Sequence, residues 1–346
     1  MKFKVQKIKK IAKKLFLKAG ASEQEAEIVS EEIIEASLMG LDSHGIMRIA
    51  QYIEQVKEGL IKPNTPIDVI YETPISAIVD CNWNFGMVCA RMMTDIVIEK
   101  ANKNNIAVAA SRHCNHMGRL GSYTQRVAQA GLFGFAVVNS SRHGHFVAPF
   151  GGAEGRLATN PLSYAVPTYG DPILLDTSTS MVSEGKIRVL MHQGKELPEN
   201  CILTSEGRPT NIPEEFYKPK KGTILPFGGE MGYKGFGLGL LVEILGSILS
   251  GVALTPDGEK DEYINGFFIM AINPKIFGIE NEIIQNMEAL KKYIKSAKPA
   301  QGSKGIFMPG EIDFTTRAER LTGGIEVADE TWKQIVDAAK LFSVVL

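Results

Sequence analysis

The pentapeptide Lys62-Pro63-Asn64-Thr65-Pro66 divides the chain into two textures that cannot share one regular element. Each proline lacks a backbone donor and biases its predecessor away from helical dihedrals, so neither a helix nor an inner strand runs through both. Upstream, Val5, Ile8, Ala12, Leu15, Phe16 and Ala19 recur at helical spacing before Gly20, which is placed to stop the helix. Ser22 with Glu25 forms a capping-box signature for a second helix bearing Ala26, Val29, Ile33, Ile34 and Leu38. A third helix is predicted from about Ser43 to Gly59. The first 60 or so residues are therefore helical.

Downstream, short apolar runs at 75–80, 106–110 and 133–138 read as buried strands, and Pro172 to Asp176 as another with an acidic carboxyl end. Met87 to Asn102 and Leu120 to Gly131 have helical length between them, which gives an α/β (mixed α+β) pattern. From about Lys195 to Gly222, proline, glycine and lysine without periodicity predict a loop or hinge at a boundary. Phe236 to Ile248 then reads as a strongly apolar helix, Gly266 to Ile272 as a strand and Asn281 to Ala297 as a helix. No internal repeat is visible.

With 346 residues, 44% of them hydrophobic, the chain can bury a large core and predicts two domains. A formal net charge of -1 supplies no global field for nucleic acid or anionic membrane. Cys81, Cys89, Cys114 and Cys201 lack Cys-x-x-Cys spacing and read as reduced thiols, expected to be small buried hydrophobes in a cytoplasmic protein. The lysine-rich start lacks the apolar core and cleavage site of a signal peptide and reads as the wet face of an amphipathic helix. No segment has the length of a membrane span.

Five of the six histidines fall in glycine-punctuated segments that also carry arginine: Asp42-Ser43-His44-Gly45 with Arg48, Arg112-His113-Cys114-Asn115-His116-Met117-Gly118, and Arg142-His143-Gly144-His145. Imidazole titrates near neutral pH and arginine does not, so the pairing suits proton transfer beside a bound anion. On one helix, His44 and Arg48 would share a face, with Asp42 or Ser43 as cap. The second and third segments each follow a predicted strand, where open α/β sheets place ligands. Gly228 to Gly239 does not satisfy Gly-x-Gly-x-x-Gly, so a Rossmann site is not expected, although Lys234 at a helix start can meet a phosphate or carboxylate. His-x-His suggests zinc but lacks a third ligand at convincing spacing, and metal is not expected.

Together these segments resemble the type 2 malate/L-lactate dehydrogenase family, which includes sulfolactate, ureidoglycolate and diketogulonate oxidoreductases and cyclic imine reductases. The carriers are Asp42-Ser43-His44-Gly45 with Arg48, Asn115-His116-Met117-Gly118 with Gly121, Val147 to Gly152, Thr159-Asn160-Pro161, Asp176 to Ser180 before Gly185-Lys186-Ile187, Gly232-Tyr233-Lys234-Gly235, and Pro309-Gly310-Glu311. The resemblance implies a non-Rossmann fold whose split helical domain, 1–72 plus 223–346, flanks a central sheet domain, 73–222, that binds NAD or NADP. It further implies a homodimer with active sites near the interface.

By the same resemblance His116 and His44 match acid/base positions and Arg48 the carboxylate holder, while Ser141 and Arg142 are expected on the substrate side, where Arg142 would favour a second negative charge. Leu120, Gly121, Ser122, Ser140, Leu174, Leu175, Asp176, Thr177, Ser178, Lys186, Tyr233, Lys234, Pro309, Gly310 and Glu311 match cofactor-contacting positions. Asp176 is also expected to orient a histidine. Arg142 to His145, Cys114 and Arg119 depart from the family pattern. The expected activity is hydride transfer between NAD(P) and a small 2-oxo/2-hydroxy acid. The alternatives are a cyclic imine reductase, a zinc hydrolase using His113, His143 and His145, and a non-catalytic ligand-binding protein.

Overall fold

The computed structural model describes residues 1–141, 144–251, 264–278 and 282–344. A two-residue strand β1 (Lys2–Phe3) leads into α1 (Val5–Lys18), α2 (Glu23–Leu38) and, after a 3-10 turn at Asp42–His44, α3 (Arg48–Lys57). Ser22 Oγ accepts from Glu25 N while Glu25 Oε2 accepts from Ser22 N, closing the predicted capping box. Ile8, Leu15 and Phe16 of α1 are fully buried against Val29, Ile33, Ile49 and Ile53. The lysines opposite them are not merely solvated, since Lys9 and Lys13 pair with Glu27 of α2 at 2.6 and 2.8 Å.

Beyond the proline break come β2 (Asp68–Thr73), β3 (Ser76–Asp80), α4 (Gly86–Asn104), β4 (Ile106–Arg112), α5 (Gly121–Gln129), β5 (Phe133–Val138), β6 (Leu162–Val166) and β7 (Ile173–Thr177). Next are α6 (Glu184–His192), β8 (Ile202–Leu203), β9 (Pro209–Thr210), α7 (Pro213–Tyr217), β10 (Thr223–Ile224), α8 (Tyr233–Glu243), β11 (Phe267–Ile272) and α9 (Ile283–Lys295). Finally α10 (Glu311–Gly323), β12 (Ile325–Glu326) and α11 (Asp329–Leu341) return to the start. There β12 pairs antiparallel with β1, and Ile335 of α11 joins the core of α1–α3. The helical body is thus split between the two ends of the chain.

The main sheet has the order β2-β3-β4-β11-β5-β6-β7, and of its pairings only β3 with β4 is parallel. A doubly wound dinucleotide fold is mostly parallel, so this is a different architecture. The expectation that 223–346 belongs wholly to the helical body is corrected by β11, which lies between β4 and β5. The alternation of fully buried Phe267, Ile269 and Ala271 fits a strand with one face against the core of α4 and α5. The predicted loop at 195–222 is also corrected. It carries α7 and strands β8 and β9, which form a three-stranded sheet with β10 around buried Ile187, Cys201, Ile202, Phe216 and Ile224. Weak periodicity concealed these strands because each is only two residues long.

Candidate active site

Arg48 and His44 do not lie on one helix. A 3-10 turn ends at His44, and α3 begins at Arg48 with no side-chain cap. Gly45 permits the bend, because a Cβ there would meet Ser37 Oγ at 2.0 Å. Asp42 caps nothing and instead takes a two-nitrogen contact from Arg320 at 2.6 and 3.1 Å. The break turns Arg48 back on the loop, where its Nε donates to Ser43 O at 2.6 Å and its Nη1 to Gln51 Oε1 at 2.5 Å. Two bonds fix the guanidinium plane. Among the described residues Nη2 donates to nothing.

His116 is brought to this segment by a loop anchored on three backbone carbonyls. Asn115 Nδ2 donates toward Leu60 O, Trp83 O and Asn84 O at 2.7–3.1 Å. Gly86, at the start of α4, lets that helix touch the loop, since a Cβ there would lie 2.0 Å from Asn115 O and 2.6 Å from His116 O. His116 Nδ1 sits 2.6 Å from Tyr52 Oη and accepts more weakly from Gly118 N at 3.3 Å. The His116 and His44 rings stack with centroids 5.6 Å apart, and Ser43 Oγ lies 2.9 Å from His44 Nδ1. Gly86→Ala is expected to cost about 1–3 kcal/mol of stability by overpacking and to lower turnover by displacing His116. Melting temperature and kcat measured together check this, and a folded variant with normal kcat would contradict it.

Burial first, then the Arg48 cation, push both imidazoles down, His44 to about 4 and His116 well below its ordinary value. Each is neutral in the folded protein at neutral pH, while an unfolded histidine takes a proton near 6.5. The unfolded chain therefore binds more protons as pH falls below about 6.5, and stability falls with it down to about 4, where His44 protonates in place. Urea midpoints should decline through that window, with a shallower decline in His44→Gln. Equal slopes would remove His44 from the account.

Among the described residues Asp176 bonds to no histidine, contrary to expectation. Its Oδ2 accepts from Gly121 N at 2.7 Å, at the start of α5, and lies 4.0 Å from Arg119 Nε. Burial raises this carboxyl, and Arg119 partly offsets that. Next to Gly121, Ser122 Oγ is buried without a partner among the described residues, an orphan hydroxyl of the kind a ligand would satisfy. At the other end of β7, a cavity of about 580 Å³ is lined by Pro172, Ile173, Lys291, Pro309 and Glu311 among others. Leu174 N donates to Pro309 O at 3.0 Å, joining β7 to the Pro309-Gly310-Glu311 turn. The strand thus leads from the cavity to the Asp176–Gly121 contact, a path of about 10 Å at the usual rise per residue.

Other expected residues are distributed more widely. Leu120 and Leu174 are buried, Leu175 and Ser178 half-buried, and Thr177, Lys186 and Lys234 exposed. Gly185 approaches Ser43, which places the first turn of α6 beside the histidine segment. Tyr233 packs edge-on against Phe150 and lies under the Lys234 ammonium. Ser141 is buried; its N donates to Ile264 O at 2.8 Å and its Oγ accepts from Ile264 N at 3.4 Å. Ser140 O lies 3.1 Å from His145 Nε2. Arg142 and His143 lie outside the described residues. His113 turns away to bond Asp80 at 2.9 Å and stack on Trp83, and no three-ligand group containing histidine forms among the described residues.

Tyr52, Gln51 and Gly86 were not singled out in the sequence. Tyr52 sits one turn beyond Arg48 on α3, and a tyrosine on an otherwise apolar face was the available signal. Gly86 had none, because its role depends on a loop thirty residues away.

The family described as malate/L-lactate dehydrogenase matches residues 3–336. A malate dehydrogenase of Pyrococcus abyssi is 36% identical over 94% of this chain and 89% of its own. An L-sulfolactate dehydrogenase of Methanocaldococcus jannaschii is 32% identical over 97% of this chain and 95% of its own. The crystal structure of malate dehydrogenase from Entamoeba histolytica superposes with a TM-score of 0.93 at 28% identity, covering 100% of this chain and 99% of that one.

Proposed function

The chain belongs to the malate/L-lactate dehydrogenase family and is an oxidoreductase of the hydroxyacid type, and from this we propose that it interconverts a small 2-oxo acid and 2-hydroxy acid with NAD or NADP. One observation carries the reading. A fixed cation, Arg48, stands beside two neutral imidazoles, of which His116 has its Nδ1 engaged by Tyr52 and so presents Nε2.

Arg48 binds the substrate carboxylate through its unengaged Nη2 edge. His116 then receives the hydroxyl proton on Nε2 during oxidation and returns it during reduction. For Nε2 to accept, the ring hydrogen lies on Nδ1 and is donated to Tyr52 Oη, and the weaker 3.3 Å contact from Gly118 N is given up. A carboxylate on Arg48 offsets the charge that holds His116 down, so substrate binding raises its proton affinity. His44 supports the ring by stacking and is the second candidate for the proton.

The nicotinamide supplies or accepts the hydride. Residues present fit such a group: the orphan Ser122 hydroxyl, the first turn of α5 and the cavity at Pro172 and Pro309, with Lys291 on its wall. Exposed Leu238, Leu240, Leu241, Ile248 and Leu249 on and after α8 form an apolar face suited to a second copy of the chain, in keeping with a homodimer. Among the described residues no helix is long and apolar enough to cross a membrane.

The test follows the absorbance of reduced nicotinamide with NADH and NADPH offered against pyruvate, oxaloacetate, sulfopyruvate, phenylpyruvate and a cyclic imine. Consumption with a 2-oxo acid is the expected result. Consumption with the imine alone would move the assignment to imine reduction.

A further inference from the structure

Three thiols that hydride transfer does not use converge beneath the His116 loop. Cys81 follows β3, Cys89 lies in the first turn of α4 and Cys114 adjoins Asn115, yet their sulfur atoms all lie within 4.8 Å of one another. All three residues are fully buried, and no other group of three potential metal ligands occurs among the described residues. Ordinary core cysteines need not meet in this way. These come from a strand end, a helix start and a loop, which fixes the backbone on all three sides.

We propose that Cys81, Cys89 and Cys114 form a binding site for a soft, three-coordinate cation of the Cu(I) class. Three sulfurs at about 2.3 Å from a shared centre stand about 4 Å apart, so closing on an ion requires contraction of less than about 1 Å. Thiolates select soft ions, and hard cations that need oxygen donors find none in this set. Structural zinc takes four ligands. The nearby imidazole of His113 has Nδ1 committed to Asp80, and no carboxylate joins the cluster.

Occupancy bears on the loop that carries His116. Cys114 Sγ donates to Asn115 O at 3.3 Å, and Gly86, three residues before Cys89, packs against the same carbonyl. Drawing Cys114 and Cys89 onto one ion pulls at the Asn115 anchor from two sides, so a loaded site slows turnover without touching substrate.

The experiment titrates the full chain anaerobically with Cu(I) against a coloured Cu(I) chelator. One Cu(I) per chain is expected in the wild type, with an ultraviolet sulfur-to-copper absorption. Cys89→Ala should weaken retention by more than about 100-fold, beyond the roughly 10–100-fold cost of losing an outer-shell partner. Cys201→Ala, which alters the isolated thiol of the small core, should change nothing. Metal-free Cys89→Ala should keep wild-type turnover, and Cu(I) should inhibit the wild type but not this variant. If Cys89→Ala fails to fold, Cys81→Ser takes its place under the same criteria. Equal copper in wild type and variant, retention that follows Cys201, or tighter binding of Zn(II) than of Cu(I) would each overturn the proposal, whatever the outcome of the nicotinamide assays.

Discussion

His116→Ala is expected to lower kcat by roughly 10²–10⁴-fold while leaving binding of reduced nicotinamide nearly unchanged, the signature of losing a positioned acid/base. The contact that makes the ring useful is testable beside it. Tyr52→Phe keeps the packing but removes the Nδ1 partner, so the limb of the kcat pH profile that reports His116 should shift while KM changes little. His44→Ala is the control, because the two rings stack and a loss at either disturbs the other. If His44→Ala carries the whole effect and His116→Ala only raises KM, the two roles are exchanged. If neither variant affects turnover, hydride transfer at this cluster is wrong.

Arg48→Lys should be nearly as damaging and in a different way. Ser43 O and Gln51 Oε1 hold the guanidinium plane, and an ammonium could neither keep both anchors nor offer a carboxylate two parallel donors. The loss of a charge-assisted bond is about 1.5–3 kcal/mol, or roughly 10- to 150-fold in KM, with kcat partly retained. Gln51→Leu should reproduce a fraction of that rise by freeing the plane. Unchanged kinetics with a lowered melting temperature would make Arg48 a structural residue.

Helices and strands with strong periodicity were legible in the sequence: the Ser22 capping box, the strands at 76–80 and 133–138, and the apolar stretch at 267–272 all occur where patterning put them. Partnership was not. Nothing in Phe267–Ile272 says that it lies between strands from the middle of the chain, because pairing partners are set by tertiary packing rather than by local alternation. The site divides in the same manner. His44, Arg48 and His116 could be picked out as chemistry-bearing types, yet Asp176 was given a histidine to orient and pairs with Gly121 N and Arg119 instead. Ser43 to Gly59 read as one helix because a backbone bend at Gly45 leaves no periodic trace.

The position of β11 has a consequence for how the protein is made. On the ribosome, β4 and β5 emerge long before their shared neighbour, which pairs with 106–110 on one side and 133–138 on the other. Until residues 267–272 appear, the nascent chain holds two part-sheets with facing open edges, the arrangement most exposed to wrong pairing. A chain released before that point keeps both edges open, so the sheet closes only once residues 267–272 have emerged.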